Sequence, residues 1–389
     1  MQDFEFMSPT KIFFGEDYIN KVGEILADDK VKNVLIVYGM HQVEKSGLLT
    51  KITAELEFNG IHCFTLHGIR VNPLREKVYE GIKIARENDI DFVLAIGGGS
   101  VIDTAKAVGA GTLYDGDFYD FNMHKVTPTK SIPVGVILTI AAAGSELSNS
   151  CVISDDKLNK KAGFNCDSNR PKYAFMNPNF LKTLSEHQMA TGIVDMNMHT
   201  MERYFYESKD NDLCDNFALV VIKNIYQNAY KWIKNHEDYN ALSNLMITSS
   251  LAHNGLTSLG KNPILAIHKL EHNVGGYYPK LVHADGLGIL LIPWLKYYKK
   301  YLGDKIYKLG KYCFEIEGTN KEEVIDKTID TYAKLLDDLK MPRHFKDLNI
   351  SFDPEEFANY FTNNGTTSLK YEGHDLDKEA VIEVYKNSL

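Results

Sequence analysis

Three of the 13 histidines of the chain lie close together in the sequence, at His268, His272 and His283. His268 and His272 stand four residues apart, so they share one face if this stretch is helical. We expect the glycine pair at 275–276 and Pro279 to end that helix, so that the chain returns and brings His283 beside the other two imidazoles. Because neutral imidazole is the commonest metal ligand, the cluster suggests a metal site.

A carboxylate and a fourth imidazole show the same spacing earlier in the chain. Asp195 and His199 are again four residues apart, with apolar residues between them. A buried aspartate or histidine needs a partner, which a metal ion would supply. One such pair alone is more often a surface or core feature than a ligand set. With two pairs, the spacing leaves a divalent cation site and an ordinary structural role both open.

Two loops rich in small residues follow apolar runs and could meet an anion. Gly97, Gly98, Gly99 and Ser100 precede a helical pattern, where glycine lets the backbone approach a phosphate and a helix start offers free N–H groups. Neither a GxGxxG nor a GxxxxGK[ST] pattern is present, and a tight turn would explain this loop taken alone. A second such loop begins at Thr139, and two of them at one sheet edge favour a dinucleotide.

The first part of the chain alternates short apolar runs with helical patterns. The apolar runs span residues 34–38, 61–66, 91–96 and 133–139, and helical patterns at 48–58 and 73–88 lie between them. This alternation predicts a parallel sheet with helices on both faces. A strand-like pattern up to residue 14 and a helix at 19–27 precede it. Such a Rossmann-like α/β domain would carry the glycine loop.

Beyond residue 178 the alternation stops and no strand pattern is found. The predicted helices span residues 195–207, 212–235, 239–254, 264–274, 286–301, 321–339, 354–364 and 377–387. We therefore predict a dinucleotide-binding α/β domain over residues 1–180 and an all-helical metal-binding domain over residues 181–389. A ligand cleft is expected between the two, a favoured place for pockets.

Composition narrows the class of protein. With 389 residues, 44% hydrophobic and 24% charged, the chain is typical of a globular protein of about two domains. The net charge of -9 argues against a nucleic-acid partner. No signal peptide or membrane-spanning run is evident. The five cysteines are scattered and without a CxxC pair, which predicts no disulfide frame and fits a reducing, cytoplasmic location.

Taken together, these residues resemble the iron-containing (group III) alcohol dehydrogenase family, and within it the butanol dehydrogenase-like branch. The matching segments lie at 9–15, 97–106, 144–146, 195–199, 251–255 and 268–286. The resemblance implies an architecture shared with dehydroquinate synthase, in which an amino-terminal dinucleotide domain is joined to a helical metal-binding domain. It also implies a homodimer.

The resemblance assigns roles to particular residues. The implied metal ligands are Asp195, His199, His268 and His283, while His272 is the implied catalytic imidazole near the nicotinamide. The implied cofactor-binding residues are Gly39, Met40, Asn72, Gly97, Gly98, Gly99, Ser100, Asp103, Thr139 and Lys161. Lys161 would fit nearly as well as a surface lysine. Iron(II) or zinc would polarise the oxygen of a small primary alcohol or aldehyde while hydride passes to or from NAD or NADP.

The chain departs from the family pattern after the first strand of the alternating region. The branch has Tyr-Gly-Gly-Gly-Ser there, whereas this chain has Tyr38 and Gly39 followed by Met40, His41 and Gln42. A methionine fills space in which backbone and hydroxyl groups would receive the 2′-phosphate of NADP. We therefore expect that NADP is not strongly preferred and that NAD is used at least comparably.

Other departures affect the segments around the metal residues. Residues 263–265 read Pro-Ile-Leu where the family commonly has Gly-Asp-Trp, and Ala143 replaces a common threonine. Two other functions stay open. A dehydroquinate synthase-like lyase, which uses NAD transiently, would need several lysines and arginines around the metal, where only Arg203 and Lys269 are evident. A non-catalytic nucleotide- or metal-binding protein would account for the altered turn at residues 39–42.

Overall fold

The computed structural model describes residues 2–39, 42–206, 210–369 and 375–389. The chain forms two compact units, one of Met7–Thr183 and the other of Leu184–Leu389 together with Met1–Phe6. The predicted domain boundary between residues 180 and 181 stays a prediction. In the described ranges, no helix combines the length and the apolar character that a bilayer span requires.

The described residues of the first unit form eight strands. In chain order they are β1 (Lys11–Phe14), β2 (Asn33–Tyr38), β3 (His62–Leu66), β4 (Phe92–Gly97), β5 (Val134–Leu138), β6 (Ser150–Asp155), β7 (Lys160–Asn165) and β8 (Tyr173–Met176). Six of them form one parallel sheet in the order β1-β8-β5-β4-β2-β3, and β6 and β7 form a separate antiparallel hairpin. The parallel sheet confirms the predicted fold class.

Burial explains which strands the sequence pattern revealed. Every residue of β4 and β5 is buried, as are five of the six residues of β2. Central strands of a parallel sheet are covered on both faces, so they read as continuous apolar runs. Strand β8, which has only four residues, was not predicted. The β6–β7 hairpin was not predicted either, because β7 reads Lys-Lys-Ala-Gly-Phe-Asn and shows no apolar run.

Six α-helices accompany these strands in the part of the unit that the structure describes. They are α1 (Val22–Asp28), α2 (Gln42–Lys45), α3 (Leu48–Phe58), α4 (Arg75–Glu87), α5 (Gly99–Thr112) and α6 (Tyr119–Asn122). The predicted helices at 19–27, 48–58 and 73–88 are confirmed, the first with a short 3-10 helix at Asp17–Lys21 before it. Helix α5 is buried along most of its length, so the glycine loop before it is firmly anchored.

The second unit is helical. Its helices are α7 (Glu186–Phe205), α8 (Asp212–Lys234), α9 (Tyr239–His253), α10 (Ala266–Tyr277), α11 (His283–Cys313), α12 (Lys321–Asp338), α13 (Pro354–Phe361) and α14 (Lys378–Lys386). Its described residues contain no strand and one isolated β-bridge, between Leu369 and Leu376. The all-helical prediction is confirmed.

Among the helix boundaries that differ from the prediction, two differ for clear reasons. Helix α7 begins at Glu186 rather than near residue 195, because Ser185 and Gln188 form a capping box that starts it earlier. Helix α10 runs to Tyr277, so the prediction that the glycine pair at 275–276 ends it is wrong. A Cβ atom on Gly275 would lie 2.9 Å from Oε1 of Glu271. The glycine therefore stands inside the helix to leave room for the carboxylate of Glu271.

Candidate metal centre and glycine-loop site

Helices α7 and α10 bring three of the predicted metal ligands together. Asp195 and His199 lie one turn apart on α7, and His268 lies near the start of α10; all three are buried. The Nε2 atoms of His199 and His268 lie 3.5 Å and 3.9 Å from Oδ1 of Asp195. One donor atom from each of the three residues falls within 4.8 Å of the others. The predicted spacing thus produces a compact set of nitrogen and oxygen donors.

The donor atoms of this set fit a divalent cation. Oδ1 of Asp195 and Nε2 of His268 are buried and have no hydrogen-bond partner among the described residues. Each unsatisfied buried polar atom costs about 1–3 kcal/mol, which coordination to a cation would offset. Two donors about 2.1 Å from a tetrahedral ion stand about 3.4 Å apart, close to the spacing seen here. Nitrogen and carboxylate oxygen donors suit iron(II) or zinc.

The electrostatics of His199 favour a neutral ring. Burial, followed by the nearby rings of His253 and His268, holds the pKa of His199 well below its usual range. A neutral imidazole keeps a lone pair, which a metal ligand requires. The backbone carbonyl of His199 also accepts a hydrogen bond from Arg203 Nη1, one turn further along α7. That arginine is therefore occupied by the helix itself.

His283, the fourth predicted ligand, lies beside the set. Its ring centroid is 5.2 Å from that of His268 and 5.4 Å from that of His272. The predicted return of the chain is therefore confirmed, although the turn lies between α10 and α11. The donor atoms of His283 group with Glu271 and His272 rather than with the first three residues. A hydrogen bond between Nδ1 of His283 and Glu271 accounts for this grouping. Its role as a ligand stays a prediction.

Sequence reasoning missed three side chains around the set. His253, at the end of α9, stacks on His199 with ring centroids 4.0 Å apart. Glu202 and Glu271 are buried and hydrogen-bonded to Nδ1 of histidines in this region. Spacing could have identified both glutamates, since each stands three residues after a predicted ligand on the same helix. No local pattern connected His253 to the metal residues.

The glycine loop joins β4 to α5 at the carboxyl edge of the sheet. Gly97 ends β4, Gly98 is the N-cap residue and Gly99 begins α5. Strands β2, β4 and β5 are parallel neighbours, so Gly39 and Thr139, which follow β2 and β5, reach the same edge. The N–H of Thr139 donates to the carbonyl of Gly97 at 3.1 Å. The two loops singled out in the sequence therefore adjoin, at the edge where α/β sheets bind ligands.

The three glycines of the loop differ in how closely the surrounding atoms pack against the position of a Cβ atom. A Cβ atom on Gly97 would lie 2.7 Å from Cγ2 of Val101, and one on Gly98 would lie 3.1 Å from Cβ of Ile140. Packing explains both. On Gly99 the nearest atom would be 3.6 Å away, an ordinary contact, and its φ is not in the left-handed region. Internal packing therefore gives no reason for Gly99, which leaves the first turn of α5 open to an anion.

Asp103 and Ser100, predicted to bind the cofactor, are engaged within α5 and its neighbours. The carboxylate of Asp103 accepts hydrogen bonds from the hydroxyl of Ser145 at 2.7 Å and from the N–H of Val152 at 2.9 Å, and burial raises its pKa. The carbonyl of Ser100 accepts from the Thr104 hydroxyl. Cofactor contact by either residue stays a prediction.

The remaining predicted cofactor residues occupy different elements. Asn72 is buried in the loop before α4 with a positive φ of 54°. Lys161 is half-buried on β7. Met40 lies outside the described residues. Near it in sequence, the Tyr38 hydroxyl donates to Oε1 of Glu44 at 2.9 Å, and burial together with this hydrogen bond raises the pKa of Tyr38 to about 12.

Comparison with known proteins connects both regions to one family. NADH-dependent butanol dehydrogenase A of Clostridium acetobutylicum is 35% identical over 396 residues, covering 100% of both chains. The NADPH-dependent aldehyde reductase of Escherichia coli is 28% identical over 390 residues, covering 99% of both. The crystal structure of NADH-dependent butanol dehydrogenase A from Thermotoga maritima matches with a TM-score of 0.92 at 32% identity, covering 100% of this chain and 99% of that one.

Family patterns match almost the whole chain. Residues 9–178 match the family described as iron-containing alcohol dehydrogenase, and residues 189–389 match the C-terminal part of the Fe-containing alcohol dehydrogenase family. The resemblance drawn from the motifs is thereby confirmed. The chain belongs to the iron-containing alcohol dehydrogenase family.

Proposed function

We propose that the chain is a metal-dependent, NAD(P)-linked alcohol dehydrogenase that acts as an aldehyde reductase on small primary alcohol and aldehyde pairs. The observation that carries the proposal is the buried set of Asp195, His199 and His268, in which two donor atoms have no hydrogen-bond partner among the residues that the structure describes. The open start of α5 at Gly99 supports a dinucleotide, and the relatives named as butanol dehydrogenases and an aldehyde reductase support the reaction class.

Each side chain of the set has a task that follows from its chemistry. Asp195 supplies charge, and the rings of His199 and His268 supply lone pairs, with His283 as the proposed fourth ligand. A divalent cation held there supplies Lewis acidity that polarises a carbonyl oxygen or lowers the pKa of an alcohol. His272 is half-buried beside His283 and can exchange a proton with the alcohol oxygen, the role we assign to it.

Several residues of the first unit are assigned to the cofactor. The N–H groups at the start of α5 would hold the pyrophosphate, and Gly98 and Gly99 would let it approach the backbone closely. NAD is used at least as well as NADP, because the carboxylate of Glu44 is held by the Tyr38 hydroxyl near the end of β2, where it would repel a 2′-phosphate. Asp195, His199 and His268 would hold iron(II) or zinc.

The setting of the enzyme is a further part of the proposal. All five cysteines are free thiols, which supports a cytoplasmic, reducing location. A homodimer is expected from the family resemblance, and sedimentation of the purified protein measures it.

The function is tested by following NADH and NADPH absorbance with butyraldehyde, after metal-free protein is reconstituted with iron(II) or zinc. We expect oxidation of the reduced cofactor that depends on added metal. A lyase or a non-catalytic binder gives no net oxidation of the cofactor. Absence of turnover with either metal and with several aldehyde chain lengths contradicts the proposal.

A further inference from the structure

Two histidines of the metal region each have a buried glutamate on the ring nitrogen Nδ1. His268 is hydrogen-bonded through Nδ1 to Oε2 of Glu202, and His283 is hydrogen-bonded through Nδ1 to Oε2 of Glu271. Glu202 is 1% exposed and Glu271 is 0% exposed. Glutamate is almost never this deeply buried without a specific partner. The histidines are therefore specific partners of both carboxylates.

The surroundings of Glu202 determine which tautomer His268 adopts. Oε1 of Glu202 accepts a hydrogen bond from the backbone N–H of Ile267 at 2.6 Å, which leaves Oε2 for the ring of His268. An ionised carboxylate only accepts hydrogen bonds, so Nδ1 of His268 must carry the ring proton. In the neutral ring, Nε2 then holds the lone pair. This Nε2 is buried, has no hydrogen-bond partner within the described ranges, and lies 3.9 Å from Oδ1 of Asp195.

Two glycines make room for Glu271. A Cβ atom on Gly275, one turn further along α10, would lie 2.9 Å from Oε1 of Glu271. A Cβ atom on Gly286, in the first turn of α11, would lie 2.7 Å from its Cγ. Any larger residue at either position would displace the carboxylate from His283. The two helices are therefore shaped around this side chain.

We propose that Glu202 and Glu271 are positioning residues, which fix His268 and His283 in the Nδ1–H tautomer and direct the Nε2 lone pair of each ring to the metal. The inference rests on the proposed metal site. His199 has a different neighbour at Nδ1, because Nη1 of Arg203 lies 3.4 Å from that nitrogen. Partners of this kind typically contribute 10–100-fold, roughly, to metal affinity.

Glu202→Gln tests the tautomer directly, because the amide has the shape of the carboxylate but only one accepting oxygen. If that oxygen accepts from Ile267 N–H, the NH2 group faces Nδ1 of His268 and forces the ring proton onto Nε2, where it blocks coordination. If the amide is turned around, its NH2 group opposes the N–H of Ile267. Either arrangement weakens the site. We expect zinc affinity, measured by competition with a chromophoric chelator, to fall about 10–100-fold.

A matched control applies the same chemical change elsewhere on α7. Glu186→Gln alters an exposed carboxylate that pairs with Lys340 at 2.7 Å and otherwise lies 4.0 Å from Nδ1 of His236, a histidine outside the metal region. Its zinc affinity should equal that of the parent protein. Glu271→Gln is the second test variant and should also weaken zinc binding. Circular dichroism of each metal-free variant establishes that it is folded.

Imidazole nitrogen NMR shifts of the metal-free parent protein measure the tautomer without any variant or activity. The signals of His268 are assigned by their loss in His268→Asn. An Nδ1–H ring in the parent and weakened zinc binding in Glu202→Gln support the proposal. An Nε2–H ring in the parent, or unchanged zinc affinity in a folded Glu202→Gln, overturns it. If the parent binds no zinc or iron, the proposed metal site fails, while the ring tautomer still decides the role of Glu202.

Discussion

The glycine-loop region and the metal region are built in opposite ways. The first presents backbone N–H groups to an anion. Gly99 has no side chain there, and a Cβ atom on it would make only an ordinary van der Waals contact. The second offers a cation the side chains of Asp195, His199 and His268, and surrounds them with further side chains. A site formed by backbone N–H groups next to a glycine depends on a few residues that are neighbours in the sequence. A site formed by side-chain metal ligands depends on residues from several helices.

Both regions nevertheless use a deeply buried charge as support. In the first, the ammonium group of Lys106 donates to Ser145 Oγ at 2.8 Å and to the carbonyls of Ser148 and Ser150 at 3.1 and 2.8 Å. In the second, Glu202 accepts from groups on α10. A cation gathers the oxygens of a loop, whereas an anion gathers N–H groups. The buried cation thus holds the carbonyl and hydroxyl oxygens of a loop, and the buried anion holds the N–H groups at the start of α10.

The largest expected effect is the loss of metal and activity when a proposed metal ligand is removed, in contrast to removal of the neighbouring His272. His199→Ala should remove the bound metal and lower kcat/KM at least about a hundredfold, because a ligand is lost from the centre that polarises the substrate. His283→Ala should do the same, since we assign it as the fourth ligand. His272→Ala is the matched control and should keep its metal while altering the rate. Elemental analysis of the three variants measures this, and unchanged metal in both His199→Ala and His283→Ala contradicts the assignment.

The next effect concerns the buried charge of the first unit. Lys106→Met leaves several buried oxygens without a donor and Asp103 without its cation, so the free energy of unfolding should fall by about 3 kcal/mol. Lys125→Met is the control, because the ammonium of Lys125 pairs with Asp120 at the surface. Chemical denaturation measures both variants. Equal stability of Lys106→Met and the parent would show that the buried ammonium is not a support.

A smaller effect is expected where a side chain is missing. Gly99→Val should weaken NAD binding about a hundredfold, roughly 2.7 kcal/mol, because the new side chain occupies space for the pyrophosphate. Gly99→Ala should leave the melting temperature unchanged, since its Cβ makes only an ordinary contact with Ala143. Gly97→Ala should instead destabilise the protein by collision with Val101. Calorimetric titration with NAD is the measurement, and undiminished affinity in Gly99→Val refutes the assignment.

The smallest effect concerns the choice of cofactor. We expect kcat/KM with NADH to equal or exceed that with NADPH, measured with one aldehyde at one pH. Glu44→Gln removes a negative charge near the end of β2 and should shift the ratio toward NADPH by a few fold, about 1 kcal/mol. A preference of the parent protein for NADPH above about a hundredfold would contradict this expectation, since it corresponds to roughly 2.7 kcal/mol of transition-state stabilisation.

Local sequence was sufficient wherever a single element carries its own signal. The central strands β2, β4 and β5 are covered on both faces, so their apolar runs were evident. The spacing of Asp195 and His199 placed both on one face of a helix because helical periodicity is local. The glycine loop and these ligands together also identified the family. The hairpin of β6 and β7 was missed, since its polar residues are held by pairing and packing rather than by their own pattern.

Tertiary structure decided what each donor faces. The sequence placed His268 and His272 on one helix with equal chemical character, yet only His268 meets Asp195 and His199, because α7 packs beside one end of α10. It is also the fold that stacks His253 on His199 and sets Glu202 against Nδ1 of His268. Periodicity determines which face of a helix a residue occupies, whereas the partner of that face is determined by packing between residues far apart in the chain.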